Sequence, residues 1–211
     1  MSRDLPPLLV ITDRQATRGR PLAEVVRAAL AGGARFFQLR EKGLEGGALL
    51  ALAEELLAET RRHGAKLLIN DRIDVALAAG ADGIVLPADS FPTAVARQLV
   101  GPHKLVGRST HSATEVQNAA REGCDFVLFG PIYDTPSKGA FGEPQGVERL
   151  REVTSSKIPV FAVGGIQADR VPELVSAGAA GGAVIREVMS AADPAAAVRE
   201  LYRGLVVSQL N

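Results

Sequence analysis

The chain has 211 residues, 46% of them apolar and only 4% aromatic, and its 24 Lys plus Arg balance 24 Asp plus Glu. That length suits a single domain over residues 1–211 with a sizeable core, and the zero net charge excludes the global basic field expected of a nucleic-acid or membrane-surface binder. The N-terminus "MSRDLPPLLVIT" lacks a signal-peptide apolar region, no apolar run approaches the ~20 residues a bilayer requires, and the one cysteine, Cys124, has no internal disulfide partner, so a cytoplasmic location is expected.

Short apolar runs and amphipathic stretches alternate from the first strand onward. The runs "LLVI" (8–11), "RFFQL" (35–39), "KLLIN" (66–70), "GIVL" (83–86), "KLVGR" (104–108), "FVLFG" (126–130), "PVFAV" (159–163) and "GAVI" (182–185) are strand candidates. Residues 21–31, 46–63, 72–79, 92–99, 112–122, 146–153, 167–177 and 194–205 carry apolar residues three and four apart, as helices do. Ser112 with Glu115 fits a capping box, and Pro194 after Asp193 fits a helix start. Glycines fill several helix-to-strand turns, "AGGA" (31–34), "AAGADG" (78–83), "EGCD" (122–125) and "SAGAAGG" (176–182), as helix C-termini favour. Cys124, just before an apolar run, reads as a small buried hydrophobe. Eight strands, each followed by a helix, predict an α/β fold closed as a compact (β/α)8 TIM barrel. The competing open doubly wound sheet lacks its Gly-rich fingerprint after the first strand.

In such a barrel the chemistry sits at the C-terminal ends of the strands. Strand two ends in "QLREK" (38–42), strand three in "NDR" (70–72) and strand four in "LPADS" (86–90). Strand five ends in "GRSTH" (107–111), strand six in "GPIYDTPSKG" (130–139), strand seven in "VGGI" (163–166) and strand eight in "VIRE" (184–187). Each group has a plain alternative. Arg40, Glu41 and Lys42 can be a solvated loop with one ion pair, Asn70 and Asp71 can cap the next helix, Ser109 and His111 can be turn residues, and the glycine pair can be a simple turn. Their coincidence at one rim favours a site. Arg40, Lys42, Lys138, Arg72 and Arg186 supply cations, Ser109, Thr135 and Ser137 supply hydroxyls, and Asp71 and Asp89 supply the hard oxygens that Mg2+ requires. Two glycines between a strand and a helix let backbone N–H groups approach a phosphate. Such a rim suits phosphorylated small-molecule substrates and a pyrophosphate leaving group.

In this order, "QLREK", "ND", "GRSTH", "GPIYDTPSK", "QGV" (145–147) and "VGGI" resemble the motifs of the thiamine-phosphate synthases and the related thiazole tautomerases. The resemblance runs from the first strand to the last. It implies joining of a hydroxymethylpyrimidine pyrophosphate to a thiazole phosphate, with Mg2+ as cofactor. It also implies roles by position. Gln38 contacts the pyrimidine. Arg40, Lys42, Asn70 and Ser109 hold the pyrophosphate, and Asp71 binds Mg2+. Thr135, Ser137 and Lys138 form a loop over the site, and Gly164 and Gly165 hold the thiazole phosphate. A homo-oligomer is compatible with the sequence.

The chain departs from the synthase pattern in three respects. After strand four "DGIHxGQxD" becomes "DGIVLPADS", with Val85 in place of His and Ser90 in place of the second metal-binding Asp. Asp89 lies one residue away and replaces it only if the loop shifts. Arg186 stands where a small residue such as Ser is usual. "VLPADSF" and "GRSTHS" lean toward the tautomerase branch, whose catalytic His falls on Pro131, a residue that cannot transfer a proton. A tautomerase-type protein, a non-catalytic thiazole phosphate binder and an unrelated phosphate-binding barrel enzyme are the alternatives.

Overall fold

Strands that are covered by helices on one face and fill a barrel on the other have no solvated face, and their sequences are accordingly apolar almost throughout. The computed structural model, which describes residues 5–135 and 143–207, has eight such strands. In chain order they alternate with helices as β1 (Leu8–Ile11), α1 (Leu22–Ala31), β2 (Phe36–Leu39), α2 (Gly46–Arg62), β3 (Lys66–Asn70) and α3 (Ile73–Ala78). There follow β4 (Gly83–Leu86), α4 (Thr93–Val100), β5 (Leu105–Thr110), α5 (Ala113–Arg121), β6 (Phe126–Phe129) and α6 (Gly146–Thr154). The series ends with β7 (Val160–Val163), α7 (Val171–Ser176), β8 (Gly181–Val184), α8 (Arg186–Met189) and α9 (Pro194–Val207). All strand pairs are parallel, and β1 pairs with β8, so the sheet closes into the expected eight-stranded barrel.

Side chains alternate across each strand. Leu9, Ile11, Phe36, Leu68, Val85, Leu105, Phe126, Leu128, Phe161 and Ala183 fill the barrel, while Val10, Phe37, Leu67, Ile84, Val106 and their like face the helices. Phe36, Phe126 and Phe161 meet edge to face, with ring centroids 5.5–6.0 Å apart. Glycine makes room for these rings: a Cβ on Gly107 would lie 2.3 Å from Phe126 Cζ. At the lower end two aspartates tie strand to strand. Asp82 accepts from Leu67 N at 2.8 Å, and Asp125 accepts from Val106 N at 2.8 Å and from Arg97 Nη2 at 2.5 Å.

Some boundaries differ from expectation. β5 runs on to Thr110, which carries Ser109 into the strand proper. The stretch 167–177 divides into a 3-10 turn, Ala168–Arg170, and α7, with Pro172 in its first turn. A short helix not anticipated from the sequence, α8, follows β8. Ser112 accepts from Glu115 N as expected, while the Glu115 carboxylate accepts from His111 N, one residue before the cap, in place of the second bond of a capping box; Asp193 accepts from Ala196 N. Among the glycine turns, Gly33 and Gly178 have φ of 106° and 86°. Among the described residues no helix is long and apolar enough to cross a membrane.

Candidate active site

The inward alternation of β2, β3 and β5 continues past the apolar layers and ends in polar residues. Gln38 shares its face with Phe36, Asn70 with Leu68, and Ser109 with Leu105. Gln38 Nε2 donates to Asn70 Oδ1 at 2.9 Å. That bond fixes both amides, leaving Asn70 with its NH2 group and Gln38 with its carbonyl for other partners. Gln38 is 2% exposed, yet its Oε1 has no hydrogen-bond partner among the described residues. A buried acceptor without a partner is uncommon in a packed core and marks this position for a functional role. Asn70 and Asp71 do not cap the next helix, since α3 has no side-chain cap bond.

The QLREK segment is held from below by its carboxylate. Glu41 is buried at 8% exposure and accepts from Thr12 Oγ1 at 2.6 Å and from Arg14 N at 3.1 and 3.2 Å. Thr12 Oγ1 in turn accepts from Arg40 N at 3.0 Å. The segment is thus a braced turn rather than a solvated loop. Glu41 pairs loosely with Arg14 at 3.9 Å, and neither Arg40 nor Lys42 has an ion-pair partner among the described residues. Arg40, half-buried, and Lys42, exposed, line a hollow with Asp13, Arg14 and Gln15 from the end of β1.

Asp71 has φ of +62°, a strained backbone for a residue other than glycine, and accepts a hydrogen bond from the Ser90 hydroxyl. The residue that meets Asp71 from the β4 loop is therefore Ser90, while Asp89 is exposed. The reason lies on the outer face of β5. Arg108 points away from the barrel and donates to Ala88 O at 2.8 Å and Phe91 O at 2.6 Å, clamping the loop on both sides of Ser90. Arg72 is engaged elsewhere: its guanidinium holds Asp74 at 2.8 and 2.5 Å, which raises its pKa and lowers that of Asp74.

At β6 and β7 the chain comes together through glycine. Gly130–Pro131 is a cis peptide, and Ile132 N and Tyr133 N donate to Val163 O and Gly164 O, extending the pairing beyond the strands. Gly164 and Gly165 have φ of 95° and 67°. A Cβ on Gly164 would lie 2.6 Å from Pro131 Cβ, and one on Gly165 would lie 2.8 Å from Tyr133 Cβ, so both conformation and space demand glycine. The Gly165 and Ile166 amides donate to no group among the described residues. His111 Nδ1 lies 2.6 Å from Gly130 O at the neighbouring strand end. Arg186, the first residue of α8, is exposed and without an ion pair among the described residues. Thr135 is half-buried at the edge of the described chain, and Ser137 and Lys138 lie outside the described residues.

Residues 8–188 match the sequence profile described as "Thiamine monophosphate synthase". The chain belongs to that family. It is 50% identical over 195 residues to a "Putative thiamine-phosphate synthase" of Geobacter sulfurreducens, covering 92% of each chain. It is 44% identical to a "Thiamine-phosphate synthase" of Roseiflexus castenholzii, covering 91% of this chain and 85% of that one. The solved thiamine phosphate pyrophosphorylase from Pyrococcus furiosus superposes with a TM-score of 0.87 at 37% identity, over 95% and 96% of the two chains. A 3-hexulose-6-phosphate synthase, at 20% identity and a TM-score of 0.69, shares the barrel fold alone.

As a member of the thiamine monophosphate synthase family the chain has more at its rim than the motifs indicated. The stretch after β1, Thr12 to Gln15, braces QLREK through Thr12 and Arg14 and lines the hollow beside it through Asp13, Arg14 and Gln15. The signal available was the polar run "TDRQ" directly after the first apolar strand. The pairing of Ser90 with Asp71, and the clamp from Arg108, bring together residues far apart in sequence that no local pattern connects.

Proposed function

We propose that this protein is a thiamine-phosphate synthase that joins hydroxymethylpyrimidine pyrophosphate to thiazole phosphate and releases pyrophosphate. The observation that carries the reading is the hydrogen-bonded Gln38–Asn70 amide pair at the ends of β2 and β3, with Gln38 Oε1 lacking a partner, and with Arg40 and Lys42 just after β2, which have no ion pair among the described residues. Gln38 Oε1 suits the amino group of the pyrimidine. Arg40, Lys42, the Asn70 amide and the Ser109 hydroxyl suit the pyrophosphate oxygens. Gly164 and Gly165 suit the phosphate of the thiazole, with Arg186 near the adjoining turn. Thr135, Ser137 and Lys138 follow β6 in the sequence and would supply two hydroxyls and a cation to the substrates.

The reaction needs no general base. The thiazole nitrogen donates its lone pair to the pyrimidine methylene carbon, and the carbon–oxygen bond to pyrophosphate breaks with its electron pair on the departing oxygen. Charge stabilisation and orientation are then the tasks of the protein. Arg40 and Lys42 stabilise the charge that grows on the leaving oxygen, and Gln38 fixes the ring so that the methylene faces the thiazole. The Asp71 carboxylate and Ser90 hydroxyl are two hard oxygens in mutual contact, a fit for Mg2+ shared with phosphate oxygens. We take them, with Ser90 in the place expected for Asp89, as the residues that would hold the ion. When bound, Mg2+ neutralises charge on the pyrophosphate.

The test is to mix purified protein with both substrates and measure thiamine phosphate with Mg2+ and with a chelator. Metal-dependent product is expected, and Lys42→Ala should lower turnover by about a hundredfold. Thiazole phosphate binding without product would overturn the synthase reading in favour of a tautomerase or a non-catalytic binder.

A further inference from the structure

The Gly164–Gly165 turn, taken above as the thiazole phosphate site, poses a mechanical problem. Two consecutive glycines at positive φ are the most freely rotating stretch a chain can have, and an anion site made of backbone amides needs them still. Packing from Pro131 and Tyr133 restrains one side of the turn. On the other side Arg170, in the 3-10 turn that follows β7, donates from Nη1 to Gly165 O at 2.7 Å. A trans peptide sets the carbonyl of one residue opposite the N–H of the next. Drawing Gly165 O toward Arg170 therefore aims the Ile166 N–H the other way, and that amide has no partner among the described residues.

Arg170 is itself held in place. Its guanidinium carbon lies 4.4 Å from the centre of the Tyr133 ring, and Tyr133 OH donates to Glu173 Oε2 at 2.7 Å. Burial, then the bond to that carboxylate, raises the Tyr133 hydroxyl to about 12, which keeps it a donor at neutral pH. The chain of contacts runs from α7 through the β6 loop to the β7 turn. Its positive charge is occupied by a carbonyl and a ring face, so Arg170 shapes the turn without being a ligand of the phosphate.

We propose that Arg170 is a positioning residue for the thiazole phosphate site, resting on the reading of the glycine turn given above. A role confined to folding stability would affect both substrates alike, whereas a role in the turn affects one. Steady-state kinetics with each substrate varied in turn, and calorimetric titration of thiazole phosphate alone, separate the two. Arg170→Met should raise KM for thiazole phosphate and weaken its binding about tenfold, leaving KM for the pyrimidine pyrophosphate within about twofold of the unsubstituted value. Arg170→Lys keeps a cation over Tyr133 but loses the planar fork, and should fall between. It carries the same test should the Met variant fold poorly. Equal changes in both KM values, or none in either, would overturn the proposal. Failure of the unsubstituted protein to bind thiazole phosphate would instead overturn the functional reading, and this inference with it.

Discussion

Replacing Glu41 by Ala tests whether the QLREK turn is braced from within. The substitution removes the acceptor for Thr12 Oγ1, in a residue with no exposure, and for Arg14 N. Hydrogen bonds to a charged group contribute about 1.5–3 kcal/mol each, and a stranded buried donor keeps its desolvation cost. The Arg14 side chain is 46% exposed, so its ion pair at 3.9 Å adds at most about 0.5 kcal/mol after solvent screening. The expected loss is about 3 kcal/mol. For a chain of this size that is a fall in Tm of roughly 9 °C. Urea unfolding should show a lower midpoint with an unchanged slope. Because Thr12 Oγ1 also receives Arg40 N, turnover should fall in the folded variant as well. Thr12→Val supplies the second arm of a double-mutant cycle, with a coupling of about 1–2 kcal/mol expected. A loss below about 1 kcal/mol for Glu41→Ala, or strict additivity with Thr12→Val, would refute the brace.

Two further outcomes follow from the core. Gly107→Ala drives a methyl into the Phe126 ring and should cost about 3 kcal/mol or prevent folding, whereas Gly47→Ala, in α2 with nothing within 4 Å of the new carbon, should be neutral or stabilising in the same urea titration. The Cys124 Sγ lies 2.9 Å from Phe126 O and 3.1 Å from Val106 O, within reach of its one S–H, and burial pushes its pKa from 9.0 up to about 12. Native protein should react with a thiol reagent far more slowly than unfolded protein at pH 8. The folded thiol holds its proton where the unfolded one has lost it, so its contribution is complete below pH 9.0 and is lost as pH rises toward about 12. Cys124→Ala should flatten that part of the stability profile. An equally steep profile would count against the burial of the thiol.

Periodicity carried most of the fold. The strands and helices lie within a residue or two of their expected bounds, because buried parallel strands and amphipathic helices leave patterns that neighbours in sequence share. Exceptions fall where local pattern is weak: α8 has only four residues, and the stretch before α7 is a single 3-10 turn. The rim was legible for a related reason. In a barrel the end of each strand is a known place, so the segments that hold Gln38, Asn70 and Ser109 could be set at one rim from the strand ends, with their separate roles implied by the resemblance.

What sequence could not supply were contacts across the barrel. Glu41 looks like a surface charge between two cations, and only closure of β1 against β2 shows it buried on Thr12. Asp89 and Ser90 are adjacent acceptors until Arg108, from the next strand, fixes the loop and brings Ser90 to Asp71. Arg170 shows no motif at all until it reaches back to Gly165 and across to Tyr133. Backbone patterning is a local property of the chain, whereas the partner a polar side chain finds depends on which distant residues the closed sheet carries to it.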